Sequence, residues 1–216
     1  MALIKKLFVT MAITISSLSA SAETYIPLVQ PSKAGGLTIM EALWNRHSSR
    51  EFSKGKLSDQ DISDLLFAAS GINRIEENKI TSPSALNTQE IDLYMFRHDG
   101  VYKYIPNGHR LQKVAEEDCR SLIAGTPQFS QDFVIDAPVS LLTVANPQKF
   151  DGSPEIANMM AVADAGIMSE NICLFCAGRG LSTVPRATMN REGISKLLNL
   201  PKEAILVLNM PVGYPK

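Results

Sequence analysis

The chain has 216 residues, 45% of them hydrophobic and 20% charged, with a formal net charge of -1. That length suffices for one domain with a substantial core. The near-neutral charge gives no electrostatic case for nucleic acid or an anionic membrane as a partner.

Lys5-Lys6 precede an apolar run from Leu7 to Ile15, and Ala20-Ser21-Ala22 offers a small-x-small cleavage site. The pattern predicts a secretory signal peptide over residues 1–22. Ser16, Ser17, Ser19 and Ser21 cut the run short of the roughly 20 apolar residues that a membrane span needs. Residues 23–216 are expected to form a single domain, exported to the periplasm.

Tyr25 to Gly36 is rich in Pro, Gly and Ser and reads as an extended arm. Thr38 is a suitable N-cap for a helix that ends near Asn45 and carries Ile39, Met40, Leu43 and Trp44. Asn45-Arg46-His47-Ser48-Ser49-Arg50-Glu51-Phe52 follows. In an extended segment Arg46, Ser48 and Arg50 point the same way. Two guanidiniums and a hydroxyl converging on one spot suit a phosphate; the competing reading is a charged helix end followed by a polar loop.

Ser58 opens a second helix with Ile62, Leu65, Leu66 and Ala69 on one face, stopped at Gly71. Pro83 to Gln89 reads as a loop or a single helical turn. Ile91 to Phe96 alternates as a strand, Asp99-Gly100 is a hairpin signal, and Val101 to Ile105 is the return strand. Arg110 to Ile123 and Pro127 to Phe133 read as outer helices. Pro138 to Ala145 has the continuous apolar character of a central strand.

Glu155 to Arg179 is the longest helical candidate and has almost no polar face. A helix of that kind is buried in a core or in a subunit contact. Gly178-Arg179-Gly180 ends it, and Ser182 to Thr188 is a connector. Asn190 caps a last helix, and Ala204 to Met210 is a last buried strand. A hairpin combined with strands separated by helices predicts an α+β sandwich.

Cys119, Cys173 and Cys176 are an odd number, and Cys173 and Cys176 have CxxC spacing. They fall late in the long apolar helix rather than at a helix N-terminus, and zinc would need two further ligands. Buried core thiols are the expectation. His98 and His109 flank the hairpin and are expected at the surface. No G-x-S-x-G supports a hydrolase elbow around Ser48 or Ser84, and no G-x-G-x-x-G follows a strand.

Taken together, these motifs resemble the nitroreductase family of flavin-dependent oxidoreductases over roughly Thr38 to Pro215. Arg46 to Arg50 looks like the family's phosphate-binding motif. Pro83-Ser84-Ala85-Leu86-Asn87-Thr88-Gln89 looks like its Pro-Ser-x-x-Asn-x-Gln loop. Asp164-Ala165-Gly166, the turn Gly180-Leu181-Ser182-Thr183, Pro185 to Thr188 and the terminal Gly213-Tyr214-Pro215 fall in the family's order. Gly100 to Tyr104 and His109 to Leu111 are similar to a segment of the flavin dehydrogenases that oxidise azolines to thiazoles and oxazoles in peptides.

The resemblance implies an α/β sandwich with a central, mostly antiparallel sheet flanked by helices, assembled as a homodimer with FMN at the subunit interface. It implies cofactor binding by Arg46, His47, Ser48, Arg50, Pro83, Ser84, Asn87, Gln89, Pro185, Arg186 and Ala187, with Lys216 as the one cation past the Gly-Tyr-Pro. Arg186 is expected at the ring edge or as a solvated surface arginine. Ping-pong hydride transfer from NAD(P)H or another donor to a small-molecule substrate follows, with no side chain as an obligatory acid or base and no metal. NAD(P)H is scarce outside the cytoplasm, so export leaves the donor open. The alternative is a non-catalytic protein that binds a flavin or another phosphorylated ligand.

Overall fold

The computed structural model describes residues 24–216, and the segment read as a signal peptide lies outside the described residues. β1 (Tyr25–Pro27) leads through the Pro/Gly-rich arm to helix α1 (Ile39–Asn45), and α2 (Asp59–Ser70) follows the basic segment. A small hairpin, β2 (Ile72–Arg74) and β3 (Lys79–Ile80), precedes a 3-10 turn at Ala85–Asn87. β4 (Ile91–Arg97), β5 (Gly100–Ile105) and β6 (Arg110–Ala115) form a meander. Then come α3 (Arg120–Ala124), the two-residue strands β7 (Gly125–Thr126) and β8 (Phe129–Ser130), and α4 (Phe133–Asp136). β9 (Val139–Ala145), α5 (Pro154–Arg179), β10 (Ser182–Thr183), α6 (Arg191–Leu197) and β11 (Ile205–Gly213) complete the order.

Seven strands make one sheet in the order β1-β6-β5-β4-β9-β11-β10, every neighbouring pair antiparallel. The period of two along each strand sorts its side chains to opposite faces. Leu93, Met95, Val139 and Leu141 pack with Leu65 and Leu66 of α2 and Met168 and Ile172 of α5. Tyr94, Phe96, Leu142 and Val144 pack with Ile123, Val134 and Ile194 of α3, α4 and α6. The molecule is a three-layer α+β sandwich, and β9 is central and fully buried, as its apolar run predicts.

Caps fix the helix ends. Thr38 and Glu41 form a reciprocal capping box on α1. The Ser58 hydroxyl accepts from the Asp61 amide at 3.0 Å. α5 starts with Ser153 as cap and Pro154 in its first turn, and stops at Gly180, which takes the left-handed φ of 68° that closes the helix. α5 is long and apolar enough to cross a membrane by length and composition. Here one side of it packs on α1, α2 and the sheet, while Ile156, Met159, Val162 and Ile167 stay exposed.

Three sequence expectations need correction. Arg110 to Ile123 is not one helix: its first half is strand β6, pairing with β5 and β1, and only Arg120–Ala124 is helical. Pro127 to Phe133 is strand β8 followed by the start of α4. Both segments carry helix-compatible residues, but the edge of β5 takes the first as strand β6 and β7 pairs with the second as β8, tertiary overrides of local preference. The hairpin turn is His98-Asp99, because Arg97 pairs with Gly100, which already belongs to β5.

Candidate functional site

The basic segment leaves α1 as extended chain, with Arg46 at φ -60° and ψ 120°. The Ser49 amide donates to the Thr183 carbonyl at 3.0 Å, and the Ser53 amide donates to the Tyr214 carbonyl at 2.9 Å. The segment is thereby laced to β10 on one side and to the C-terminus on the other. Its residues alternate. His47, Ser49 and Glu51 line a cleft of about 970 Å³ with Cys173, Arg179, Thr183 and Lys216, while Arg46, Ser48 and Arg50 are exposed outside that lining; His47 and Glu51 are exposed as well. Of the predicted binding residues, His47 and Lys216 reach this cleft.

Among the described residues the Arg46 and Arg50 guanidiniums make no hydrogen bond or ion pair. Their positive charge reaches their neighbours. Arg46 opposes the burial that pushes the Cys173 thiol up to about 11. Arg50 adds to the burial that pushes Arg186 down to about 10. The Thr183 hydroxyl on the cleft wall is buried without a partner among the described residues. His47 Nδ1 lies 2.7 Å from the Asn45 carbonyl oxygen, leaving Nε2 without a partner among the described residues.

Pro185 and Ala187 are exposed, and the Ala187 amide has no acceptor among the described residues. Arg186 departs from both expectations, since it is 7% exposed and points inward. Nε donates to Gln131 Oε1 at 2.9 Å, Nη1 to the Ile123 carbonyl at 3.1 Å and Asn209 Oδ1 at 2.5 Å, and Nη2 to the Ala124 carbonyl at 3.0 Å. Its guanidinium sits 5.5 Å from the Phe133 ring centroid, and Phe133 stacks on Phe52, the last residue of the basic segment. The side chain fastens the connector to the helical layer and has little left to offer a ligand. A buried arginine facing several carbonyls leaves no signal in sequence.

The Pro83–Gln89 loop lies elsewhere on the surface. None of its residues lines the cleft. Leu86, Asn87 and Gln89 take left-handed φ values of 54°, 57° and 48°, a strain of about 1–3 kcal/mol at each non-glycine position. The Gln89 side-chain amide donates to the Asn78 carbonyl at 2.5 Å and to Asn87 Oδ1 at 3.2 Å. The Ala85 amide donates to Asp164 Oδ2 of α5 at 2.6 Å. Cys173 and Ala177, on the cleft wall, are 9 and 13 residues further along that helix, roughly 13–20 Å at 1.5 Å per residue.

The sequence does not show the contacts of three contributors, Glu90, Tyr214 and Arg179. Glu90 underpins the loop. Tyr214 donates to Asp61 Oδ2 at 2.8 Å, which ties the terminal Gly-Tyr-Pro to α2. Arg179 joins them through Asp61 Oδ1 at 3.3 Å. The Tyr214 and Asp61 partners are 153 positions apart, beyond any local pattern. His109 is half-buried rather than surface: Ser63 Oγ and Tyr104 OH lie 2.7 and 2.8 Å from its two ring nitrogens, and burial depresses its pKa. His98 is exposed, as expected. All three cysteines are free, with Cys173 and Cys176 buried.

An antiparallel sheet covered by helices on both faces, with an exposed basic segment after the first helix bonded to β10 and to the C-terminal Tyr214, defines a three-layer α+β fold. The nitroreductase family profile matches residues 43–214, and the chain belongs to the nitroreductase family. It is similar to a nitroreductase-named protein of Methanocaldococcus jannaschii, with 28% identity over 82% of this chain and 91% of that one. A solved nitroreductase-named structure from Ralstonia eutropha JMP134 superposes with a TM-score of 0.81 at 32% identity, over 99% of this chain and 97% of that one. A nitroreductase family protein from Clostridium novyi NT shares the fold at a TM-score of 0.60 and 19% identity, over 83% and 86% of the two chains.

Proposed function

We propose that the chain is an exported FMN-dependent oxidoreductase of nitroreductase type that acts on a small-molecule acceptor as a homodimer. The carrying observation is a set of donors with nothing in the protein to bind. Among the described residues Arg46 and Arg50 are unpaired, the Thr183 hydroxyl is buried and partnerless, and the Ala187 amide is exposed and unused. Two guanidiniums beside hydroxyl and amide donors fit a phosphorylated cofactor, since charge-assisted bonds to phosphate are the strong ones.

In this reading Arg46, Ser48 and Arg50 hold the phosphate, and Lys216 adds a cation from the C-terminus. His47 orders the segment through its bond to the Asn45 carbonyl. The Ala187 amide lies along the cofactor, and Arg186 keeps Pro185 and Ala187 in place from behind. FMN bound there would supply two-electron chemistry, taking hydride from NAD(P)H or another donor and passing it to the acceptor in a second half-reaction.

The homodimer is supported by an uncovered apolar face. Ile39, Met40, Leu43 and Trp44 of α1 are exposed, Trp44 by 85%, and so are Ile156, Met159, Val162 and Ile167 of α5. Exposed apolar patches of that extent mark interaction surfaces. A partner would also bring a second Pro83–Gln89 loop toward a cleft that its own loop does not line. The azoline-oxidising resemblance falls on β5, the turn and β6, where Tyr102, Tyr104 and Leu111 are buried in the core, so it carries no substrate assignment.

The test is the visible absorption of the purified protein after FMN addition and desalting. Retained flavin bands that bleach with NADH, NADPH or dithionite support the reading. Arg46→Ala with Arg50→Ala is expected to abolish retention, and a double variant that keeps full flavin overturns the phosphate assignment. Mass spectrometry of the exported form tests cleavage before Glu23.

A further inference from the structure

The left-handed loop Pro83–Gln89 persists only where its surroundings over-determine it. What holds it is a pair of carboxyls beneath. Glu90 is fully buried, and its Oε2 accepts from the Thr88 hydroxyl at 2.7 Å and from the Ser84 hydroxyl at 3.2 Å. Ser84 Oγ in turn accepts from the Gln89 amide at 2.8 Å. Asp164, 6% exposed on α5, accepts from the Ala85 amide at 2.6 Å.

Glu90 Oε1 is buried with no donor. The two carboxyls hold consecutive loop residues, Glu90 the Ser84 hydroxyl and Asp164 the Ala85 amide, and neither is ion-paired to a cation among the described residues. The ammonium of Lys149, in the turn after β9, sits 2.8 Å from the Gln89 carbonyl oxygen. Asp92, two residues along β4, is paired with Lys103 of β5 at 2.7 Å. Neighbouring buried carboxylates without a cation resist ionising together, which favours one proton shared between them until the pH is high enough to remove it.

We propose that Glu90 is a positioning residue: it is held neutral, donates its Oε1 proton to Asp164, and the joined pair clamps the Pro83–Gln89 loop in its left-handed form. Only the statement that this loop faces a flavin rests on the proposed function; the clamp is a property of the apoprotein. Burial above all, then the charge of and hydrogen bond to Asp164, raise the Glu90 carboxyl above its ordinary 4.5, outweighing the Thr88 hydrogen bond and a backbone bond. The folded protein therefore holds this proton more tightly than the unfolded chain. The clamp's contribution is complete below about pH 4.5 and is lost as pH rises through the raised folded value.

The experiment is amide hydrogen exchange at Ala85 and Gln89 in the full chain without flavin, from pH 5 to 9, corrected for intrinsic rates. Wild type is expected to lose protection by about tenfold or more toward the alkaline end, as a local opening would give. Glu90→Gln replaces the proton by a permanent carboxamide donor and is expected to keep protection flat across the range. Glu90→Ala strands the Ser84 and Thr88 hydroxyls and is expected to lose protection at every pH. Wild-type protection that does not change with pH, or Glu90→Gln that follows wild type, overturns the proposal. Flavin retention over the same series separates the two claims: a clamp that behaves as stated while retention ignores it removes the loop from the flavin site and leaves the clamp standing.

Discussion

Arg186→Ala tests whether a residue that reads as a ligand contact or a surface arginine is instead a structural tie. The substitution removes four donated hydrogen bonds. It leaves the carbonyls of Ile123 and Ala124, Gln131 Oε1 and Asn209 Oδ1 without their donors. Each buried acceptor left unsatisfied costs about 1–3 kcal/mol. Water entering the vacated space recovers part of that, so the net expectation is about 3–5 kcal/mol, the lower part of the summed cost of the four acceptors. At about 2–4 °C per kcal/mol for a domain of this size, the melting temperature should fall by roughly 6–20 °C. Circular dichroism melts at pH 7 measure this directly. Arg186→Lys should recover only a minor part, because a single ammonium cannot reach acceptors arrayed around a planar fork. A fall of under about 3 °C for Arg186→Ala would refute the argument and return Arg186 to the surface class, where substitutions cost little.

The thiols make a second test. Burial pushes Cys173 up to about 11 and Cys176 well above the ordinary thiol value, so at pH 8 a thiol reagent should modify Cys119 alone in the folded protein and all three cysteines after denaturation. Rapid native labelling of Cys173 or Cys176 would contradict that burial. At the C-terminus, burial alone would raise the Asp61 carboxyl, but hydrogen bonds from Ser58, Tyr214 and Arg179 and the Arg179 charge bring it below 3.8. A depressed carboxyl contributes stability above its unfolded value that is lost as pH falls through the folded value. Tyr214→Phe should therefore cost about 1–2 kcal/mol at pH 7, a hydrogen bond to a charged group discounted for partial exposure, and the gap to wild type should narrow below about pH 4. Denaturant melts at pH 7 and pH 3 compare the two, and an equal gap at both would show that Asp61 does not carry the effect.

Local chemistry was enough for much of this chain. Thr38, Ser58 and Asn190 cap helices because a side-chain oxygen meets an orphan amide within three residues. The apolar run of β9 declares its burial, whereas the unbroken apolar pattern of α5 is buried on one side only and leaves Ile156, Met159, Val162 and Ile167 exposed. The order of motifs from Arg46 to Pro215 also carries the family, and the alternation of Arg46, Ser48 and Arg50 in extended chain is visible from spacing alone. What the sequence could not decide involves partners distant along the chain. Arg110 to Ala115 became a strand because the β5 edge offered a ladder stronger than its helical preference. Arg186 turned inward because α3, Gln131 just past β8, and β11 present oxygens to it there. Glu90 and Asp164, 74 positions apart, meet only when α5 crosses under the loop. Helix caps and strand periods depend on neighbours within a few residues, so they can be read along a line. Buried polar contacts depend on which elements the fold brings together, and only the tertiary structure holds that information.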